Sequence, residues 1–382
     1  MSFPICNNSD CVGCGLCESI CPKSAISMSI SKGFYRPHIS NQCVSCGLCI
    51  QKCPMNNQSA IVKNDKASVA YASWSKNDMI HKESTSGGLA YTIAFRFISM
   101  GGAVVGVWFN SQIQAVEHRL YEDTSDLHFM QGSRYVQSKK HGRIYSVVYE
   151  KLMQKDVLFI GVPCEIQAIK SYLIGKKTKH KLYCIDTLCR GGASPFCLNE
   201  HINAISHNNK IQDIKFRGGD YDCKLSIWNE KGKRIYSIGQ YTDAYFLLFM
   251  KHSIFQESCF KCLFAGAERL GDITLGDFWG LDRQIYNCSS IQGINMVLIN
   301  TDDGKNLINL VQTDIVLYKR PISEAINGNE TLSKPTVKPV EYEKLWEQII
   351  NSNFHSSIKK IYGIDWRRNM LVGKLRSLKS LL

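Results

Sequence analysis

The chain has 382 residues, 44% hydrophobic and 21% charged, with 46 Lys and Arg against 33 Asp and Glu, a formal charge of +13. That length sets about two to three domains, and no apolar run reaches the roughly 18 residues of a membrane-spanning helix. The opening MSFPICNNSD lacks a basic segment followed by an apolar one, so no secretory signal is expected. Seventeen cysteines then point to metal or redox chemistry in a reducing cytoplasm rather than to disulfides. The positive charge raises nucleic acid as a partner. Basic and aromatic residues do not alternate as in a strand-tracking groove, however, and no nucleic acid is expected.

The first feature in chain order is a repeat. CVGCGLCESICP, from Cys11 to Pro22, returns as CVSCGLCIQKCP, from Cys43 to Pro54, 32 positions later. Three cysteines two residues apart wrap three corners of an iron–sulfur cube, and the fourth, followed by Pro, reaches the other cube. This spacing assigns Cys11, Cys14, Cys17 and Cys53 to one [4Fe-4S] cluster and Cys43, Cys46, Cys49 and Cys21 to a second. Gly13, Gly15 and Gly47 suit a backbone that must come close to inorganic sulfur, and Pro22 and Pro54 turn the chain out of helix. Zinc also takes four thiolates, but usually from two CxxC units across a gap, and this duplicated pattern fits it poorly. Residues 1–58 are therefore expected to form an α+β ferredoxin-like dicluster domain.

A polar linker, Asn56 to Ser68, follows, and then the pattern alternates. VAYASW (69–74), GGAVVGVWF (101–109), DVLFIG (156–161) and KLYCIDTL (181–188) read as strands. LAYTIAFRFISM, VPCEIQAIKSYL with Pro163 at its start, and FCLNEHINAI read as helices. Strand, tight loop and helix recurring argue for an α/β domain over 69–320. Ile214 to Gly239 reads as an antiparallel insertion turning at Asn-Glu-Lys-Gly, and 321–382 as a helical basic C-terminal tail.

Five patches in the α/β region look chemical. STSGG (84–88) precedes a helix whose N-terminus favours phosphate. MQGSRYVQS (130–138) adds an Arg among small polar residues, and GVPCE (161–165) and CRGGASP (189–195) each place a cysteine just after a strand. SCFKC (258–262) supplies a further CxxC, with GDITLGDFWG (271–280) after it.

In these patches, and in their order behind a double ferredoxin motif, the chain resembles the beta subunits of the coenzyme F420 hydrogenases and dehydrogenases over residues 1 to about 300. Chlorophyll-cycle reductases of the hydroxymethyl type share that domain. The resemblance implies a flavoprotein, with FAD in the α/β domain fed by iron–sulfur clusters. Ser86, Gly87 and Gly88 would then cradle the flavin phosphates, and Gly132, Ser133, Arg134, Tyr135, Gln137 and Ser138 would line the cofactor site. It also implies a third [4Fe-4S] cluster, for which Cys164, Cys189, Cys259 and Cys262 are the candidates; the alternative is that Cys164 and Cys189 are small buried residues. Cys6, Cys184, Cys197, Cys223 and Cys288 are expected to be structural. The chain departs from the family pattern at Arg190 and Gly192, where His and Val are common, and at Glu165, where Gln is common.

The expected function is an iron–sulfur flavoprotein oxidoreductase that passes electrons between the clusters and FAD to a two-electron, small-molecule substrate. The alternative is a non-catalytic electron-transfer subunit of a larger redox complex. Either needs a redox partner, such as a ferredoxin or a partner subunit. Between Lys359 and Leu382, seven Lys or Arg face one acid, Asp365. A helix from Asp365 would align Leu371, Leu375, Leu378 and Leu382, which predicts either a packed terminal helix or weak contact with an anionic membrane surface.

Overall fold

The computed structural model describes residues 4–65, 67, 69–140, 143–206, 209–217, 223–281, 293–365, 367–368 and 371. Near the N-terminus, each cysteine repeat opens a five-residue helix, Leu16–Ile20 and Leu48–Lys52, entered through a left-handed Gly15 and Gly47. Between them runs an antiparallel hairpin of β1 (Ile26–Ser31) and β2 (Phe34–Ile39).

The α/β region supplies β3 (Val69–Ser75), β4 (Ala103–Asn110), β5 (Ala115–Tyr121), β6 (Val157–Gly161) and β7 (Leu182–Thr187). An insertion follows, with β8 (Ile211–Lys215), β9 (Lys224–Asn229) and β10 (Arg234–Gly239) in an antiparallel sheet of its own. Its turn is the expected one: the Asn229 side chain accepts from the Lys231 and Lys233 amides, and Gly232 takes φ +70°. The main sheet resumes with β11 (Ile273–Asp277), β12 (Asn295–Ile299) and β13 (Ile315–Pro321).

Among the described residues the main sheet has eight strands in the order β13-β3-β12-β11-β7-β6-β4-β5. Its centre, β11-β7-β6-β4, is parallel, and both flanks are antiparallel. A parallel strand is covered on both faces, so it reads as an unbroken apolar run; β6, VLFIG, is buried at every position. The helix Pro163–Leu173 crosses from β6 to β7 and begins with Pro163, which has no N–H to leave unpaired. The mixed fold with a cysteine-rich N-terminal part agrees with the fold class read from the sequence.

The 321–382 stretch is helical at Ile322–Gly328, Tyr342–Asn351 and Phe354–Tyr362 but does not stand apart as a tail. Tyr342, Leu345, Trp346, Ile349, Phe354 and Ile358 share one apolar core with the insertion and with Phe34 of the hairpin. Trp346 lies 5.0 Å from the Phe34 ring and over Gly33, where a side chain would collide with it. The 3.6-residue apolar stripe of these helices therefore packs on the insertion and on the β1–β2 hairpin. Of the proposed amphipathic helix, residues 372–382 lie outside the described residues, and Leu371 is exposed. Among the described residues no helix is long and apolar enough to cross a membrane.

Candidate metal centres

The first repeat is folded inward. Cys11, Cys14, Cys17 and Cys53 line one cavity, the combination of three near residues and one remote one that the spacing predicts. Their charges act on one another. Burial pushes the Cys14 thiol up to about 12 and that of Cys17 well above its usual range. Cys11 goes the other way, to about 6, and Cys53 to about 7, because the Cys6 thiol hydrogen-bonds to both. Cys6, expected to be structural, thus lines the same cavity as a fifth thiol. Nothing in the sequence signals this, since Cys6 falls outside the repeat spacing.

The second set is peripheral. Cys43 and Cys46 are exposed and Cys49 half-buried, and Cys49 feels the charges of Cys21 and Cys43, the crossed partnership again. Ala25 donates its amide to Cys21 Sγ at 3.3 Å.

A third group forms in the α/β region. Cys164 follows β6 and Cys189 follows β7, at the carboxyl edge where open α/β sheets bind ligands. They interact electrostatically with Cys262, and Cys189 with Cys259 as well. Burial raises all four thiols, that of Cys259 to about 11. The Gly192 amide donates to Cys259 Sγ at 3.2 Å. Coordination deprotonates such thiols outright, and the amide–sulfur bonds suit a thiolate ligand. Cys184 and Cys197 are buried in apolar cores, as expected, whereas Cys288 lies outside the described residues. Among the described residues no three Cys, His, Asp or Glu side chains form a site for a single metal ion.

Between the first and third groups sits a buried polar cluster that the motifs only grazed. The Lys140 ammonium pairs with Glu165 and also bonds the Ser138 hydroxyl. Glu165 accepts from Ser138 Oγ at 2.8 Å, from the Val162 amide at 3.1 Å, and meets His118 Nε2 at 3.1 Å. Burial alone would raise the Glu165 carboxyl, but Lys140 and His118 pull it well below the usual range. Burial lowers His118. The hydroxyl of Tyr145 donates to the Cys14 carbonyl at 2.6 Å, and Gln137 bridges the domains, its Oε1 accepting from Tyr35 N at 2.8 Å. Gln256, three residues before Cys259, joins the same latch through Val12 O at 3.2 Å and Arg36 Nη1 at 3.0 Å.

The residues expected to line a flavin site divide. Gln137 and Ser138 lie beside the cysteines, as above. Gly88 takes φ +83° and starts the helix Leu89–Ser99, while Gly87 packs on Ser73 O and Asn295, leaving no room for a side chain. Ser133 donates its amide to Thr85 Oγ1 at 2.9 Å. Arg134 is committed within the protein, to Asp213 at 2.9 Å and to the carbonyl of Gly132 at 2.6 Å. Tyr135 stacks on Phe249 at 4.5 Å. Asp277, Asn295 and Ser73 are register partners across β11, β12 and β3, so this group shares one edge of the sheet. There the buried Arg217 pairs with Asp277, a link absent from the sequence expectations. Among the described residues, Ser86 Oγ and Asp277 Oδ1 are buried there without a hydrogen-bond partner. Such orphans are costly unless a ligand satisfies them, so the group fits a polar cofactor.

Residues 154–325 match the family model for the C terminus of the coenzyme F420 hydrogenase/dehydrogenase beta subunit, and residues 10–57 match the 4Fe-4S dicluster domain. A chain in a xenon-derivatised structure of the F420-reducing [NiFe] hydrogenase complex from Methanosarcina barkeri is 16% identical. That alignment covers 76% of this chain and 97% of the other, with a TM-score of 0.49. No curated protein matches. By its two matched regions the chain carries the C-terminal domain of the coenzyme F420 hydrogenase/dehydrogenase beta-subunit family behind an N-terminal 4Fe-4S dicluster domain.

Proposed function

We propose that this chain is an iron–sulfur flavoprotein oxidoreductase with three [4Fe-4S] clusters and FAD. The observation that carries the proposal is the approach of two inner cysteine groups, Cys11/Cys14/Cys17/Cys53 and Cys164/Cys189/Cys259/Cys262, to the buried pair Lys140 and Glu165. Clusters bound there would supply one-electron transfer, and a flavin would pair two electrons for a substrate that takes them together. The protein's own part is to hold and insulate. Tyr145 and Gln137 fix the backbone of the first repeat, and Leu16 keeps water from its cavity. Ser86 and Asp277 offer hydrogen bonds to the flavin, and the loop 132–138 runs from them to the cysteines.

The exposed Cys43 and Cys46 favour electron exchange with a partner protein at that end. This would also serve a subunit without a substrate of its own. Anaerobic protein should contain about twelve iron and twelve sulfide per chain and should release FAD on denaturation. Reduction of an artificial dye by the isolated chain separates the enzyme from the pure electron carrier. Iron for two clusters with free Cys164 and Cys189 thiols would remove the third, and loaded protein that takes up no flavin would remove FAD.

A further inference from the structure

The buried Lys140–Glu165 pair is oriented between the two inner cysteine groups. Lys140 belongs to the side of the first repeat: its Cγ lies 2.7 Å from where a Cβ on Gly15 would stand, so the side chain fills the glycine's notch. Its charge reaches Cys14 and, across the pair, Cys164, where Glu165 opposes it. Glu165 belongs to the other side. It follows Cys164 on the helix Pro163–Leu173, is held by the Val162 amide, and its charge bears on Cys164 and Cys189. Both side chains are almost wholly buried, 3% and 7% exposed. Of the other groups nearby, burial lowers His118 and so favours its neutral form, Arg36 acts on Cys11 and Cys259 alike, and Arg269 and Lys63 bear on Cys262 but stay the same in every variant compared.

Adding an electron to a cluster adds negative charge, and in a poorly screened interior a nearby fixed charge changes the ease of that step. Local charge is among the determinants of cluster potential. Resting on the three-cluster reading above, we propose that Lys140 and Glu165 are positioning residues that set the potential difference between the two inner clusters. The cationic end favours the reduced form of the cluster held by Cys11, Cys14, Cys17 and Cys53. The anionic end disfavours reduction of the cluster held by Cys164, Cys189, Cys259 and Cys262. Because the pair is neutral as a whole, the protein gains this gradient without burying net charge.

The experiment is an anaerobic redox titration of the full, cluster-loaded chain followed by electron paramagnetic resonance. Iron content comes first: wild-type protein without three clusters overturns the cofactor reading, before any variant is compared. In loaded protein, Glu165→Gln should raise the midpoint potential of the α/β cluster and leave that of the inner repeat cluster nearly unmoved. Lys140→Met should lower the inner repeat cluster more than the α/β cluster, and Lys140→Arg should restore it. If Lys140→Met loses iron, Glu165→Gln and Lys140→Arg decide alone. Equal shifts of both clusters, or no shift in Glu165→Gln, overturn the proposal.

Discussion

The two halves of the cysteine repeat share eight of twelve residues and occupy opposite environments. In the first, Cys11, Gly13, Gly15 and Leu16 are buried; in the second, Cys43, Val44, Ser45 and Cys46 are exposed and Leu48 is half-buried. The glycines show why. A Cβ on Gly15 would overlap Lys140 and one on Gly13 would press on Gln137 and on Tyr35 O, whereas Gly47 has nothing within 4 Å. Ser45 replaces Gly13 in the second half and still takes φ +53°. The repeat thus encodes how the chain wraps a cluster, and the rest of the protein decides how deep that cluster lies.

Removing one ligand from each half is the strongest way to break the comparison. Cys14→Ala should cost about four iron per chain and loosen the packing of the α/β domain, because its loop seats Tyr145 and Lys140. Cys46→Ala should cost the same iron and leave that packing intact; near-ultraviolet circular dichroism beside iron analysis checks both. Next comes Leu16→Ala, which empties a site 1% exposed against Tyr145 and Phe159 and should cost about 2–5 kcal/mol. The half-buried Leu48→Ala should cost about 1 kcal/mol in anaerobic denaturant unfolding.

The glycine pair sharpens the same point. Gly47→Ala should cost about 1–2 kcal/mol for its left-handed backbone alone, while Gly15→Ala adds the collision with Lys140, for a further ~1–3 kcal/mol. Equal losses in the two variants would mean that the inner cavity is no tighter than the outer one. The smallest effect is expected for Ser45→Gly. Relief of its left-handed strain is offset by a floppier unfolded chain, for a net change within about 0.5 kcal/mol.

The cysteines that line the inner cavity were legible as a group because spacing is local: Cys11, Cys14 and Cys17 come together whatever surrounds them. The same holds for β6, whose apolar run names a buried strand, and for the Asn229–Gly232 turn. The sheet flanks were harder, since β13 joins the sheet only by pairing with β3, far earlier in the chain, and β3 itself is held by β12. Cys6 and Lys140 carry no spacing signal at all. Lys140 matters because the fold brings the residue after QSK onto Gly15, more than a hundred positions earlier in the chain. Glu165 could be flagged only as a departure from a familiar pattern, with no hint of its partner.

The contact between Trp346 and the β1–β2 hairpin also carries a consequence for synthesis. The ribosome delivers Gly33 first and Trp346 313 residues later, an interval of roughly 15–60 s at ordinary elongation rates. Throughout it the hairpin lacks the ring that will cover Gly33, and for part of it the first repeat has no α/β partner. The hairpin beside the first repeat therefore stays uncovered until the late-arriving helices pack on it. Chains stopped before Tyr342 should exchange iron with a chelator faster than full-length protein.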